Sequence, residues 1–110
     1  MTDPRQALRH DLRQRRRDLS AAKRIAAAES LADALLALPF APREGAVAGY
    51  WALDGEIALH RWQLQLPEGL TYCLPVLAGD VPRFAPWRPG QPLTSNRYGI
   101  PEPDVALEDT

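Results

Sequence analysis

The apolar positions between residues 20 and 38 follow one another at three- or four-residue intervals, which is the spacing of one helix face. Ser20 precedes this segment and offers a side-chain oxygen to free backbone N–H groups, whereas Pro39 follows it and cannot continue a helix. The sequence therefore predicts a helix over residues 20–38. Its apolar face consists of Ile25, Ala28, Leu31, Ala32, Leu35 and Leu36.

A second helical pattern covers residues 4–19, where leucines form a narrow apolar stripe. Pro4 suits the first helical position because proline loses no needed N–H there, and Thr2 or Asp3 can cap the helix. We expect the segment 1–19 to be a basic helix that leans on the body of the protein by its leucine edge. That edge consists of Leu8, Leu12 and Leu19.

The middle of the chain has the order strand, helix, strand. Residues 46–52 form a short apolar run without alternation, which is typical of a strand covered on both faces. Residues 57–66 return to a pattern compatible with a helix, and residues 70–76 form another strand-like run. The segment 46–76 therefore predicts a parallel α/β unit with a right-handed crossover.

The last third of the chain, residues 77–110, is rich in proline. Eight of the eleven prolines follow residue 60. This predicts a long ordered loop with at most one short strand, near Phe84. A doubly wound sheet usually has about four to six strands, whereas only two strands are predicted here with strong support. This difference indicates either a sheet that is completed by association with another chain or the amino-terminal part of a longer domain.

Composition places the chain among single-domain globular proteins. It has 110 residues, of which 45% are apolar and 25% are charged. No run of about 18 apolar residues and no secretory signal pattern are present. Cys73 is the single cysteine, which excludes an internal disulfide and suits a packing role in a reducing compartment. We therefore expect a cytoplasmic protein that does not contact membranes.

The net charge of −1 hides an asymmetry. Through Arg24 there are eight basic and three acidic residues, a net of +5, and the remainder has five basic and eleven acidic residues, a net of −6. Such an arrangement predicts a basic element that meets an anion, an acidic partner or the acidic body of its own chain.

The arginines of the first helix are arranged in a row. On a helical wheel Arg5, Arg9, Arg13 and Arg16 fall within about 80° of one another, and Arg13 and Arg16 extend the row toward acidic groups of the body or a ligand. Arg5 lies in the first turn, where a cation opposes the helix dipole. This position favours a bound anion near Arg5 and Arg9. Arg15 and Arg17 lie off the row and are expected in solvent.

A solvated charged face and a helix that binds nucleic acid or an acidic partner are the alternatives for this row. Against nucleic acid, the sequence pI is 6.1 and no aromatic residues are interleaved with the arginines. Nucleic acid is therefore not the expected partner, although a small binding module that uses the arginine-rich helix remains the second hypothesis.

A second constellation follows the first predicted strand in the stretch GYWALDGEI, residues 49–57. Glu56 comes just after the carboxyl end of that strand, where open α/β sheets collect ligands. It can accept hydrogen bonds from ligand N–H groups, or it can favour the start of the next helix. Trp51 is either part of the core or a stacking surface. His10 and His60 lie far apart with no catalytic pattern around them.

Four pieces of sequence, in order, resemble one enzyme family. They are RQALRHDLRQRRRDLS, VAGYWALDGEI, LTYCLPVL, and FAPWRPGQPL followed by YGIPEP. This set, from Arg5 to Pro103, resembles 5-formyltetrahydrofolate cyclo-ligase, also called methenyltetrahydrofolate synthetase. The resemblance implies an α/β three-layer sandwich with a mainly parallel sheet, incomplete in this chain, and a protein that is a monomer when complete.

The activity implied by the resemblance is the conversion of 5-formyltetrahydrofolate to 5,10-methenyltetrahydrofolate with ATP and Mg²⁺, releasing ADP and phosphate. The family's ATP motif begins with lysine, and here arginine stands at that position, which keeps the charge and changes its reach. The positions that match the ATP motif are Arg5, Gln6, Ala7, Leu8 and Arg9. Those that match the binding site for the small-molecule folate substrate are Trp51, Glu56 and Tyr98.

This chain is shorter than the members of that family, which are nearly twice as long. The family's glycine-rich nucleotide loop and its magnesium-binding aspartates lie in the later half. The resemblance therefore implies that this chain contains no metal ligand and is a truncated form of the parent enzyme, whose activity depends on the missing half.

Overall fold

A computed structural model describes residues 3–110, so that the candidate cap Thr2 lies outside the described residues. The helices are α1 (Pro4–Asp18), α2 (Ala21–Leu36) and α3 (His60–Leu64). The strands are β1 (Gly45–Ala48), β2 (Leu70–Ala78), β3 (Val81–Pro86), β4 (Leu93–Ser95) and β5 (Pro101–Pro103), and a 3₁₀ helix covers Leu107–Asp109. Within residues 3–110, no helix is long and apolar enough to cross a membrane.

The first two helices begin where their capping residues predict. The Asp3 carboxylate accepts the N–H of Arg5 at 2.9 Å, and the Ser20 hydroxyl accepts the N–H of Lys23 at 3.2 Å. Each cap satisfies one of the backbone donors that a helix start leaves free. Both predicted helices are confirmed, and α2 ends at Leu36, earlier than residue 38.

The prediction that α1 leans on the body by a leucine edge is wrong. Leu8, Leu12 and Leu19 remain 57%, 43% and 46% exposed, and α1 contains no buried residue. Polar contacts of its arginines hold the helix instead, as described below. The leucine stripe is too narrow to bury a face, since three leucines over four turns cover less than the usual apolar sector of a surface helix.

The main sheet has the order β1-β2-β3. β1 and β2 pair in parallel with Gly45 opposite Leu70, and α3 lies between them in sequence, so the predicted parallel strand–helix–strand unit is confirmed. β2 and β3 pair antiparallel, with Leu74 opposite Ala85. The described sheet is thus mixed rather than mainly parallel, and the fold class is α/β.

β1 is an edge strand, and the expectation that it is covered on both faces is wrong. Within residues 3–110, β1 pairs only with β2, and Val47 is its half-buried residue while its other residues are exposed. A short apolar run does not distinguish an edge strand from a central strand, because both carry small apolar side chains.

The proline-rich region is not a loop throughout. It contributes the six-residue strand β3 and the small antiparallel sheet formed by β4 and β5. Pro82 and Pro86 are tolerated in β3 because it lies at a sheet edge, where missing donors are not needed on the outer side. Glu102 links the small sheet to β2, since its carboxylate accepts the Leu77 N–H at 3.2 Å and the Asn96 side-chain amide at 3.3 Å.

The buried core lies on β2 and the segment that follows β3. Tyr72, Leu74 and Trp87 form its centre. Half-buried side chains from β1, the Trp51 segment, α3, the segment after α3 and β4 surround it; these are Val47, Trp51, Trp62, Leu66 and Leu93. The core therefore supports the segment in which the sequence places its candidate ligand residues.

Candidate functional site

Three arginines of α1 converge on Asp54, in the turn that precedes Glu56. The Arg17 guanidinium donates to the Asp54 carboxylate at 2.6 Å, and Arg13 Nε lies 3.7 Å from its other oxygen. Arg16 Nε donates to the Asp54 backbone carbonyl at 3.2 Å. We call these contacts the Asp54 joint. The prediction that the row extends toward an acidic group of the body is confirmed for Arg13, whereas Arg16 contacts the backbone carbonyl of Asp54. Arg17, expected in solvent, is half exposed and pairs with the Asp54 carboxylate.

The turn at Leu53–Glu56 is tightly built. Asp54 and Gly55 have φ values of 52° and 75°, as a type I′ turn requires, and the Glu56 N–H donates to the Leu53 carbonyl at 2.9 Å. The Glu56 carboxylate accepts the Leu53 N–H, also at 2.9 Å. One oxygen of Glu56 therefore helps to close the turn. Among the described residues, its other oxygen has no hydrogen-bond partner.

Gly55 allows α1 to approach this turn closely. A Cβ atom at Gly55 would lie 2.9 Å from the carbonyl carbon and oxygen of Arg16. A positive φ and the lack of space both require glycine at this position. The backbones of the turn and of α1 are thus in direct contact, and the contacts of the Asp54 joint lie beside this point.

The guanidinium of Arg17 lowers the pKa of Asp54, first through its hydrogen bond and then through its charge, with further contributions from the charges of Arg13 and Arg16. Partial burial acts in the opposite direction and is outweighed. The ionised carboxylate is therefore the form that binds α1.

This shift predicts how the stability of the joint depends on pH. Because the folded-state pKa is lowered, the contribution of the joint is complete above the ordinary aspartate pKa of about 3.9 and is lost as pH falls through the lower folded value. Thermal melts of the wild type and of Asp54→Asn should therefore differ at pH 6 and converge toward pH 2. A difference of constant size across this range would contradict the assignment.

None of the remaining arginines of α1 pairs with the body of the protein among the described residues. Arg15 pairs with Asp11 at 3.2 Å across one helical turn and is otherwise solvated. Arg5 Nε lies 3.6 Å from the Asp3 carboxylate, which also caps the helix, so Asp3 places one negative charge beside Arg5, where the sequence predicts a bound anion. Arg9 is exposed and forms no ion pair with any residue in the range 3–110.

The candidate ATP residues form one exposed segment of α1. Gln6, Ala7 and Leu8 are exposed with their two flanking arginines. Arg5 and Arg9 lie one helical turn apart, which places their side chains on one face. Arg9 precedes Arg16 by seven residues, or roughly 10 Å along the helix axis. An anion bound at Arg9 would therefore lie about two helical turns from the Asp54 joint.

A cleft of about 280 Å³ opens beside Trp51. We call it the aromatic cleft. Trp51 meets Trp87 edge to face with 5.7 Å between ring centroids, and the Trp87 indole N–H donates to the Gln91 carbonyl at 3.1 Å. Its side-chain lining includes Tyr50, Trp51, His60, Gln63, Tyr72 and Trp87.

Both tyrosines of the aromatic cleft keep their protons. Burial raises the pKa of Tyr72, and burial together with the negative charge of Glu56 raises the pKa of Tyr50. The Tyr50 hydroxyl donates to the Ile57 carbonyl at 2.5 Å, and this bond connects the two ends of the segment 50–57. The cleft thus presents neutral aromatic walls with fixed polar groups.

A second cleft of about 570 Å³ lies between the end of α1, α2 and the Leu53–Glu56 turn. We call it the α1–α2 cleft. Its charged lining residues are Arg16, Arg24, Asp54 and Glu56. The Arg24 guanidinium donates to the carbonyls of Arg16 and Arg17 at 2.8 and 2.7 Å. The Arg16 carbonyl also accepts the Leu19 N–H, so Arg24 supplies additional donors to the carbonyls at the end of α1.

The structure does not bring all candidate folate residues into one cleft. Trp51 lines the aromatic cleft and Glu56 lines the α1–α2 cleft, and both clefts include Ala52 and Ala58 in their walls. Tyr98 lies in the β4–β5 turn, is 67% exposed, and lines neither cleft. Arg97 lies 5.0 Å above its ring.

Within residues 3–110, no group of three or more His, Cys, Asp or Glu side chains lies close enough to hold a metal ion. Cys73 is buried, and burial raises the pKa of its thiol, so it is poorly suited to act as a nucleophile. His60 lines the aromatic cleft without a carboxylate partner among the described residues.

Sequence reasoning missed Asp54 and the aromatic partners of Trp51. The Asp-Gly pair signals a turn with positive φ, but no local pattern connects Asp54 with arginines about 37 positions earlier. Trp87 follows β3 in a proline-rich stretch, and only the pairing of β3 with β2 brings it to Tyr72. No family model, curated protein or solved structure matches this chain.

Proposed function

We propose that this chain forms the part of a 5-formyltetrahydrofolate cyclo-ligase that carries the ATP and folate contacts named below, and that the whole enzyme converts 5-formyltetrahydrofolate to 5,10-methenyltetrahydrofolate with ATP, releasing ADP and phosphate. Arg5 and Arg9 contact the phosphates of ATP, and Trp51 and Glu56 contact the folate. The protein adopts a three-layer α/β sandwich, acts as a monomer and belongs in the cytoplasm. Support comes from the ordered sequence motifs and from the geometry of the Asp54 joint.

The Asp54 joint is the observation that carries this proposal. It fastens α1, which bears the candidate ATP residues, to the turn that contains Glu56. A reaction between two bound substrates requires both to be held in a defined relation. Helix α1 and the segment 51–56 have such a relation because Asp54 and Gly55 contact α1 directly.

The phosphate contacts use the exposed face of α1. Arg9 has no carboxylate partner within residues 3–110, so its guanidinium is available for a bidentate contact with phosphate oxygens. In the proposed reaction the formyl oxygen attacks the γ-phosphorus and ADP leaves. N10 of the folate then attacks the activated carbon, loses its proton and displaces phosphate. Positioned cations stabilise the charge that develops on the transferred group.

The folate contacts use the segment 51–56. The aromatic cleft, of about 280 Å³, offers the rings of Trp51 and Trp87 as contact surfaces for a flat ligand ring. The carboxylate oxygen of Glu56 that does not close the turn can accept a ligand N–H. Because Ala52 and Ala58 line both clefts, a ligand that extends from one cleft to the other passes over these small side chains.

The described residues do not fit a magnesium site, since they contain no group of carboxylates and histidines at metal-binding distance. We therefore assign no magnesium ligand to residues 3–110. The nucleic-acid alternative has weaker support than the folate proposal. Arg13 and Arg17 are already paired with Asp54, and Arg15 with Asp11, which leaves fewer free guanidinium groups for a phosphate backbone.

The ATP assignment predicts that Arg9→Ala raises the KM for ATP about tenfold, corresponding to the loss of about 1.4 kcal/mol of charge-assisted binding. The measurement follows the near-ultraviolet absorbance of the methenyl product while ATP is varied. Arg15→Ala removes a guanidinium from the same helix outside the Arg5–Arg9 row and should leave this KM unchanged. Equal KM values for the two variants would refute the phosphate role of Arg9.

A further inference from the structure

We propose that Asp54 is a positioning residue that fixes the orientation of α1 relative to Glu56 and thereby sets the distance between ATP and folate. This inference rests on the proposed function and adds a residue that does not itself contact either substrate. Asp54 acts through Arg13, Arg16 and Arg17, whose side chains reach it from successive turns of one helix.

Few other contacts orient α1. Within residues 3–110, its side chains make hydrogen bonds and ion pairs outside the helix and its cap only to Asp54. Arg24 adds contacts to the backbone carbonyls at the end of α1. The leucine stripe is about half exposed, and none of its three side chains is fully buried. The direction of α1 therefore depends on contacts confined to its carboxyl-terminal half.

A small change in orientation at the Asp54 joint therefore produces a larger displacement of the candidate ATP residues. Arg9 lies roughly 10 Å along the helix from Arg16, so a rotation of about 10° at the joint would move Arg9 by about 2 Å. Displacement of a reacting group by about 1 Å can reduce rates on the order of 100-fold. A weakened joint should therefore slow phosphoryl transfer even when each substrate still binds.

On the other side of the joint, Asp54 and Glu56 belong to one four-residue turn. The Glu56 N–H and carboxylate both bond to the Leu53 backbone at 2.9 Å, so Glu56 is held in a fixed relation to Asp54. Asp54 itself adopts a φ of 52°, which aspartate and asparagine tolerate better than most residues. The carboxylate of Asp54 is thus presented to α1 by a rigid turn.

Asp54→Asn is the first test, because asparagine keeps the size, the positive φ and one acceptor oxygen while removing the charge. We expect kcat for methenyl formation to fall at least tenfold, while the KM values for ATP and folate change less than threefold. Because a smaller folded fraction would also lower the apparent kcat without changing KM, the folded fraction of each variant is measured by circular dichroism and kcat is expressed per folded molecule. Asp11→Asn, which removes the partner of Arg15 on the same helix, should retain wild-type values.

Arg17→Ala provides a second variant that breaks the same contact from the helix side. It should lower kcat in the same direction, and the double variant Arg17→Ala with Asp54→Asn should lose no more than Asp54→Asn alone, since the contact between Arg17 and the charged carboxylate is already absent there. Additive losses, or a kcat unchanged by both single variants, would overturn the positioning role.

A ligand-free measurement separates this inference from the proposed function. If Asp54 holds α1, amide hydrogen exchange in residues 4–18 should accelerate at least fivefold in Asp54→Asn and in Arg17→Ala, because a released helix of this length is marginal in water. Exchange as slow as in the wild type would overturn the positioning role. A wild type that forms no ATP-dependent product, yet shows the faster exchange in both variants, would refute the proposed function and retain Asp54 as the residue that fixes α1.

Discussion

Gly55→Ala is expected to lower the free energy of unfolding by about 2–4 kcal/mol, combining the cost of a left-handed alanine with the cost of overpacking. At Gly55 the φ value is 75°, and an added Cβ would lie 2.9 Å from the carbonyl carbon and oxygen of Arg16. These are backbone atoms within α1, so they cannot move aside as the end of a flexible side chain would. The helix or the turn must shift as a unit.

Gly79→Ala is the matched control for this variant. Gly79 lies in the turn between β2 and β3 with a φ of 66°, and a Cβ there would meet nothing within 4 Å. It should therefore show only the conformational cost, about 1–2 kcal/mol. Urea unfolding of both variants isolates the contribution of the close approach to α1. Equal destabilisation of the two would show that α1 does not pack against the Leu53–Glu56 turn.

Glu56→Ala is expected to weaken the binding of 5-formyltetrahydrofolate at least tenfold. A hydrogen bond from a ligand N–H to a carboxylate contributes about 1.5–3 kcal/mol, and its loss leaves the ligand donor unpaired. Equilibrium titration of the protein with 5-formyltetrahydrofolate measures this change.

Two further variants separate ligand contact from the structural role of Glu56. Glu56→Gln retains an acceptor for the Leu53 N–H, so it keeps the turn while removing the charge. It should bind folate more weakly than the wild type because an amide is a weaker acceptor for ligand N–H groups. Glu44→Ala removes an exposed glutamate just before β1 and should leave the affinity unchanged. Unchanged affinity in both Glu56 variants would remove Glu56 from the binding site.

The helices and the parallel strand–helix–strand unit could be predicted because their signals are local. Pro4 and Ser20 mark helix starts, and a short apolar run on each side of a helical pattern indicates parallel strands. The short strand predicted near Phe84 is present as β3, but its full extent could not be predicted, since Pro82 and Pro86 argue against a strand until its edge position is known.

The candidate site was predictable in part for the same reason. The exposed pair Arg5 and Arg9 follows from helix periodicity, whereas the pairing of Arg17 with Asp54 joins residues that are 37 positions apart. A helical wheel shows which arginines share a helix face, but it does not show which face packs against the rest of the chain. Arg17 therefore looked solvated in sequence although it makes the shortest contact of the joint.

The formation of methenyl product tests the central proposal most directly. The enzyme to which this chain is assigned, including the later half that the resemblance implies, is purified and incubated with 5-formyltetrahydrofolate, ATP and Mg²⁺, and near-ultraviolet absorbance is followed together with the release of phosphate. The proposal predicts that the absorbance rises only when ATP is present and that one phosphate is released for each methenyl product formed. A complete mixture without any rise in absorbance, or a rise of the same size without ATP, would contradict it.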